Sequence, residues 1–291
     1  MKNATIPSLL LYALALAGSA AAQTWVSNSG NDANACTLAA PCKTFQRAVN
    51  VTPVSGQVGV LNAGDYGPVT ITQSIRIDGG GFASSYFTAS TPFTINTPAG
   101  SVVEIRHLSV HGNGSAYEGI FWGLAGALDI DDVQVTGFNY GILIDPFAVS
   151  DVFIKDSSVE NCSGTGLYFN GGATSSLTAK IENTHVRGCA YGLYDYNANV
   201  AAYNSTFSSP VGPPASGTYG IFTDGAANIF VDNCEFNGFW VGIWSAGSVQ
   251  VSRSSFIGNN TAVDYFVTSN GNNSFFNNVS NGTFSSTVPL M

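Results

Sequence analysis

LDIDDVQV, Leu128 to Val135, is the stretch whose reading decides the fold. Its first and third residues are apolar, its fifth is Asp and its eighth is Val, and the sixth position is small in most copies. The same phrase recurs as VEIRHLSV (Val103–Val110), VFIKDSSV (Val152–Val159), AKIENTHV (Ala179–Val186) and VAAYNSTF (Val200–Phe207). It continues as IFVDNCEF (Ile229–Phe236), VQVSRSSF (Val249–Phe256) and a worn copy, NNSFFNNV, ending at Val279. The closing residues are separated by 25, 24, 27, 21, 29, 20 and 23 positions. Self-similarity at that period is the mark of a solenoid.

Each phrase reads as two short strands joined by a bend. Alternation gives strands with one buried face, and Asp or Asn at the fifth position tolerates the left-handed backbone that a tight bend requires. A third strand lies between phrases, opened by Gly: GIFW (Gly119), GILI (Gly141), GLYF (Gly166), GLYD (Gly192), GIFT (Gly220) and GIWS (Gly242). Three strands in a turn of about 24 residues predict an all-β, right-handed parallel β-helix of about nine coils, each paired to the next at about 4.8 Å. The LxxLxLxxN/C-x-L pattern of leucine-rich repeats is absent.

The ends read differently. Residues 1–22 carry Lys2, the apolar SLLLYALALAG and a small-residue site at Ala20-Ala21-Ala22, the layout of an export signal. Residues 23–55 read as an N-terminal cap, in which KTFQRAVN forms a short helix with Phe45, Ala48 and Val49 on one side and Pro53 as its stop. Residues 56–280 form the β-helix, with a Gly/Ser-rich excursion over 78–92 that contains GGGFASSYFTASTP, and 281–291 a C-terminal tail. The implied location is secreted, extracellular or periplasmic. No later apolar run is long enough for a membrane span, so no membrane partner is expected.

TWVSNSGNDANAC, PCKTFQRAV and GDYGPVTITQSIRIDG, together with the coil phrases, resemble exported bacterial right-handed β-helix proteins of the pectin-lyase-like superfamily. The resemblance implies the fold. It implies no single activity, since that superfamily holds lyases, hydrolases, epimerases and adhesins.

With formal net charge −9 and charged residues at 9%, the chain lacks the basic footprint of nucleic-acid binding. Five cysteines in an exported chain invite disulfides. Cys36 and Cys42 flank TLAAP and can close a small loop. Cys162 and Cys189 each follow a phrase-ending Val by three residues, so they stack in one column, as a disulfide or as two buried thiols. Cys234 fills the small inward sixth position held elsewhere by Ser157, Thr184 and Ser205.

Alternation also assigns an outward column on the Gly-led strand: Phe121, Leu143, Tyr168, Tyr194, Phe222, Trp244 and Asp264. Large apolar rings on an outer wall call for a reason. Three are open: a platform for an extracellular polysaccharide lying along the axis, packing beneath a loop such as the Pro-rich SSPVGPPASGTY (208–219), or an oligomer contact. The oligomeric state is not legible.

Three acids, Asp145, Asp195 and Asp224, lie near the end of that strand. Paired carboxylates can divide acid and base roles in glycoside cleavage, and the layout resembles polygalacturonase-like β-helix hydrolases. Their GHG, RIK and NTD motifs are missing, and alternation turns Asp195 partly inward; if the chain cleaves its polymer, Asp195 and Asp224 are the expected acid/base pair with Asp145 in support. Solvated turn carboxylates remain the competing reading, and a non-catalytic surface or adhesion protein the competing class. A lyase needs a free base, whereas Arg106, Asp131, Lys155 and Glu182 alternate in sign up one outer column, with Glu160 and Arg187 in another, as a salt-bridge ladder.

No cofactor or metal site is expected. For calcium, Asp129, Asp131, Asp132 and Glu104 are the nearest candidates, but only Asp129 and Asp131 share a face. His107 and His111 straddle a strand, and His185 lies three coils on.

Overall fold

A computed structural model describes residues 22–87, 91–174, 177–210 and 212–288. Most of the expected export signal, residues 1–21, therefore lies outside the described residues. No helix among the described residues is long and apolar enough to cross a membrane.

The strands stack in parallel register, coil upon coil. Val135, Val159 and Val186 are direct neighbours. The third position of the phrase runs Ile105, Ile130, Ile154, Ile181, Ala202, Val231 and Val251 up a single inner column. The Gly-led strand contributes Ile120, Ile142, Leu167, Leu193, Ile221, Ile243 and Val263. These columns enclose one continuous apolar core from Val26 to Val267. In the upper coils the eighth position is Phe, and Phe207, Phe236, Phe256 and Phe275 stack face to face with centroids 5.1 to 5.3 Å apart.

The bend within each phrase is made as its chemistry suggests. Asp132, Asp156, Asn183, Asn204 and Asn233 all sit at φ between 48° and 54°, where a short polar side chain costs least. The sixth position then closes the turn from inside: Ser157 Oγ accepts from the Val133 N–H, and Ser205 Oγ from the Thr184 N–H, each across one coil. Cys234 occupies this column as a buried thiol.

The Gly that opens the third strand is there for room. A Cβ on Gly192 would lie 2.6 Å from the Gly220 carbonyl oxygen and 2.9 Å from the Phe207 ring. A Cβ on Gly166 would meet the Val186 side chain at 2.4 Å. The missing side chain lets the third strand close against the eighth-position column.

At the N-terminal end, β1 (Gln23–Val26) pairs with β2 (Gly56–Val60), and α1 (Phe45–Val51) buries Phe45, Ala48 and Val49 beside them. Thr44 caps α1, its side chain accepting from the Arg47 N–H. Cys36 and Cys42 form a disulfide, and the Asp32 carboxylate accepts from the Lys43 and Thr44 N–H groups to hold the same loop.

Three local expectations need correction. Cys162 and Cys189 stack as expected but are free thiols. Each is turned toward the carbonyl two residues before it, Glu160 and Arg187, in the same pose one coil apart. A hydrogen bond to Cys189, together with burial, pushes the Cys162 thiol up. The final repeat is displaced by four residues, since Phe275 rather than Val279 pairs with Phe256. Val279 is 83% exposed, and Asn272 makes the bend at φ 56°. Residues 78–92, which read as an excursion, are partly wall, with Ala83–Phe87 in register with Leu108–Gly112.

Candidate functional site

The outer face of the Gly-led strands carries the densest grouping of unusual side chains. Phe121, Leu143, Tyr168, Tyr194, Phe222, Trp244 and Asp264 are consecutive register partners, as alternation requires. All six of the apolar and aromatic members are half-buried. Ser208, Ser209, Pro210 and Gly212 of the Pro-rich loop line a cavity at the preceding bend together with Gly188 and Gly238.

A second column, not foreseen, runs beside the first: Tyr140, Thr165, Tyr191 and Tyr219 in register, with the Tyr117 ring against that of Tyr140. Its sequence signal is simple, since the residue before the strand-opening Gly is Tyr in YGIL, YGLY and YGIF. The two columns interlock. Tyr168 and Tyr194 stack at 5.0 Å, Tyr194 and Phe222 at 5.2 Å, and Phe222 and Trp244 at 4.4 Å with planes 8° apart. Tyr191 and Tyr219 stack at 5.3 Å, and edge contacts join the columns at Tyr191–Phe222 and Tyr219–Phe222.

Each stacked pair adds about 0.5–1.5 kcal/mol beyond the area it covers. The same geometry changes what the wall can offer a ligand. Along Tyr168, Tyr194, Phe222 and Trp244 the ring faces are turned on neighbouring rings.

The three acids do not converge. Asp195 points into the coil and is 0% exposed, between Phe169 and Thr223 in register. Its Oδ1 accepts from the Ala198 N–H at 2.9 Å, while Oδ2 has no partner. Burial pushes its carboxyl up to about 8, against the opposing pull of that N–H. Asp224 instead pairs in register with Tyr196, on the outside. Asp145 follows Ile144, the partner of Phe169, and so lies beside Asn170, itself the partner of Tyr196. An outward column thus reads Asp145, Asn170, Tyr196, Asp224. Its two carboxylates are three coils apart, about 14 Å, beyond the roughly 5–9.5 Å of glycosidase pairs. Burial holds the Asp145 carboxyl above the usual range, partly offset by its hydrogen bond to Asn170.

The charged ladder lies on other faces. Asp131 is gripped by Arg106 at 2.7 Å and Lys155 at 3.1 Å, and Arg187 pairs with Glu160 at 2.7 Å. Glu182 pairs with Lys180 on its own strand, at 2.6 Å. Glu104 is held by Arg76. These pairings occupy Asp131 and Glu104, and Asp132 sits exposed at the bend, so the calcium candidates do not converge. Among the described residues no three His, Cys, Asp or Glu side chains form a metal-binding group. His107 faces Asp78, its Nδ1 3.0 Å from Oδ1.

Known proteins place this architecture. The crystal structure of pectate lyase Pel9A superposes with TM-score 0.58 at 13% identity, covering 91% of this chain and 78% of that one. A rhamnogalacturonan lyase superposes with TM-score 0.53 at 11% identity, covering 81% and 74%. At such identities the likeness is one of fold, the pectin-lyase-like β-helix. No curated protein matches by sequence. Residues 140–288, which contain most of the aromatic wall, match the right-handed β-helix region family, and the chain belongs to that family.

Proposed function

We propose that this protein binds an extracellular polysaccharide along its tyrosine-rich wall and acts as a binding or adhesion protein rather than a cleaving enzyme. The observation that carries the reading is the half-exposed aromatic column Tyr168–Tyr194–Phe222–Trp244 with Tyr140, Tyr191 and Tyr219 beside it, on an outward face where rings are ordinarily covered. The columns run along the coil axis, as a linear polymer would. Phenol hydroxyls both donate and accept, which matches the hydroxyls of a sugar chain. The Asp145–Asn170–Tyr196–Asp224 column supplies further polar groups on one flank.

Secretion fits the Lys2-led apolar start, the Cys36–Cys42 disulfide and a surface poor in charge. The separation of Asp145 and Asp224, and the enclosure of Asp195, favour binding over two-carboxylate hydrolysis. The test is retention on immobilised plant, algal and bacterial polysaccharides, comparing wild type with Tyr194→Ala/Trp244→Ala, while new reducing ends and unsaturated uronates are read in the same samples. Retention that the double variant loses, without soluble product, supports the reading. Equal retention of both proteins removes the wall from it, and product release by wild type replaces binding with cleavage.

A further inference from the structure

The charge around the wall is one-sided. Glu118 is the register partner of Tyr140, and Asp264 is that of Trp244. Asp145 and Asp224 close the far flank. The basic side chains of the coils lie elsewhere, Arg76, Arg106, Lys155, Lys180, Arg187 and Arg253 each paired with an acid on the other walls. The tyrosine hydroxyls record the same field. Burial pushes Tyr140, Tyr168, Tyr194 and Tyr219 up, Tyr168 to about 12, and the carboxylates that add to it are Glu118, Asp145, Asp224 and Asp264 in turn.

We propose that the polymer bound along this wall carries amino groups rather than carboxylates, as a glycan with free amino sugars does. The inference rests on the binding reading above and adds the ligand's charge to it. A protonated amine only donates hydrogen bonds, and the wall's flank and rim present carboxylate and phenol oxygens to receive them. A uronate chain would bring like charges against Asp145 and Asp224 with no Arg or Lys on the wall to meet it. The acids lie at both ends and along one side of a face about 29 Å long from Phe121 to Asp264, six coil steps. That spread suits charges repeated along a chain better than a single cation. A sugar chain also uses the intervening hydroxyl row, which a basic peptide has less means to engage.

The experiment is calorimetric titration of the intact protein at about pH 6. The probes are hexamers of β-1,4-linked glucosamine, N-acetylglucosamine and galacturonic acid, with hexalysine as a fourth. The expected result is that the glucosamine hexamer binds at least about tenfold more tightly than each of the others. Its affinity should fall with added salt, and fall several-fold in Asp145→Asn/Asp224→Asn, whose fold is checked by circular dichroism. Equal or tighter binding of the acetylated or uronate hexamer overturns the charge assignment and leaves the binding reading standing. Equal binding of hexalysine also overturns it, making the face a cation surface of no sugar preference. If glucosamine hexamer shows no heat and the polysaccharide panel shows no retention, both readings fail together.

Discussion

Replacing Asp195 by Asn should change how stability depends on pH, and the change can be worked out from the structure. Asp195 is wholly enclosed, one oxygen held by the Ala198 N–H and the other without a partner. Its carboxyl titrates near 8 in the folded chain, against 3.8 for the free side chain. The folded state therefore keeps a proton that the unfolded state releases. Below about pH 4 both states hold it, and folding is unaffected. Between about pH 4 and pH 8 the unfolded state is favoured by a further ~1.4 kcal/mol for each pH unit, and above that the difference is constant. Wild type should thus lose about 4 kcal/mol between pH 5 and pH 8 from this group alone, an upper value if water reaches the carboxylate. Asp195→Asn keeps the acceptor for the Ala198 N–H and has no proton to lose, so its curve should lack this slope. The assay is urea unfolding of both proteins at intervals from about pH 5 to pH 9, with the difference in midpoint free energy plotted against pH. A difference that grows with pH in favour of Asn supports the buried, protonated carboxyl. Parallel curves would show that Asp195 is not buried as described, and with it the inward facing of that strand position.

Other substitutions probe the rest of the fold. Gly192→Ala forces a methyl to within 2.6 Å of the Gly220 carbonyl oxygen and should cost about 1–3 kcal/mol, read as a lowered melting temperature. Asp131→Asn removes the shared partner of Arg106 and Lys155; on a partly exposed face the loss should stay near ~1 kcal/mol and shrink in high salt. Thiol titration should find Cys162, Cys189 and Cys234 unreactive in the native protein and all three reactive after denaturation without reductant. Fewer than three would restore a bond between Cys162 and Cys189.

Much of the architecture was legible because a β-helix repeats its constraints. The apolar third and eighth positions recur from coil to coil, and Asp or Asn at the bend and the opening Gly recur in most of them, with His107 and Arg253 making two of the bends and Ala262 standing once for the Gly, so an error at one coil is corrected by the next. That redundancy places Val135, Val159 and Val186 in one column and turns Asp195 partly inward, where the structure encloses it fully. It failed where the repeat decays. NNSFFNNV offers Phe275, Phe276 and Val279 as candidates for one inward position, and only pairing with Phe256 selects Phe275.

The site was less legible, for a different reason. Alternation gives the face of a residue but not the orientation of its ring. The expected column from Phe121 to Trp244 is present, yet its rings close on one another, and the second column of Tyr140, Tyr191 and Tyr219 that locks them in place was overlooked. The acids show the same limit. Asp195 and Asp224 lie on consecutive coils but one residue out of register, and one residue in a strand is the difference between core and solvent.

Where the polymer lies can be measured directly by nitrating the tyrosines of the intact protein with tetranitromethane, with and without a polysaccharide that retains it, and mapping the modified residues by mass spectrometry. Tyr140, Tyr168, Tyr191, Tyr194 and Tyr219 should be protected together by the ligand, while Tyr203, which faces Lys180 on another wall, should react equally in both samples. Protection of Tyr203 with no change at Tyr168 and Tyr194 would contradict the account and move the binding face elsewhere on the coil.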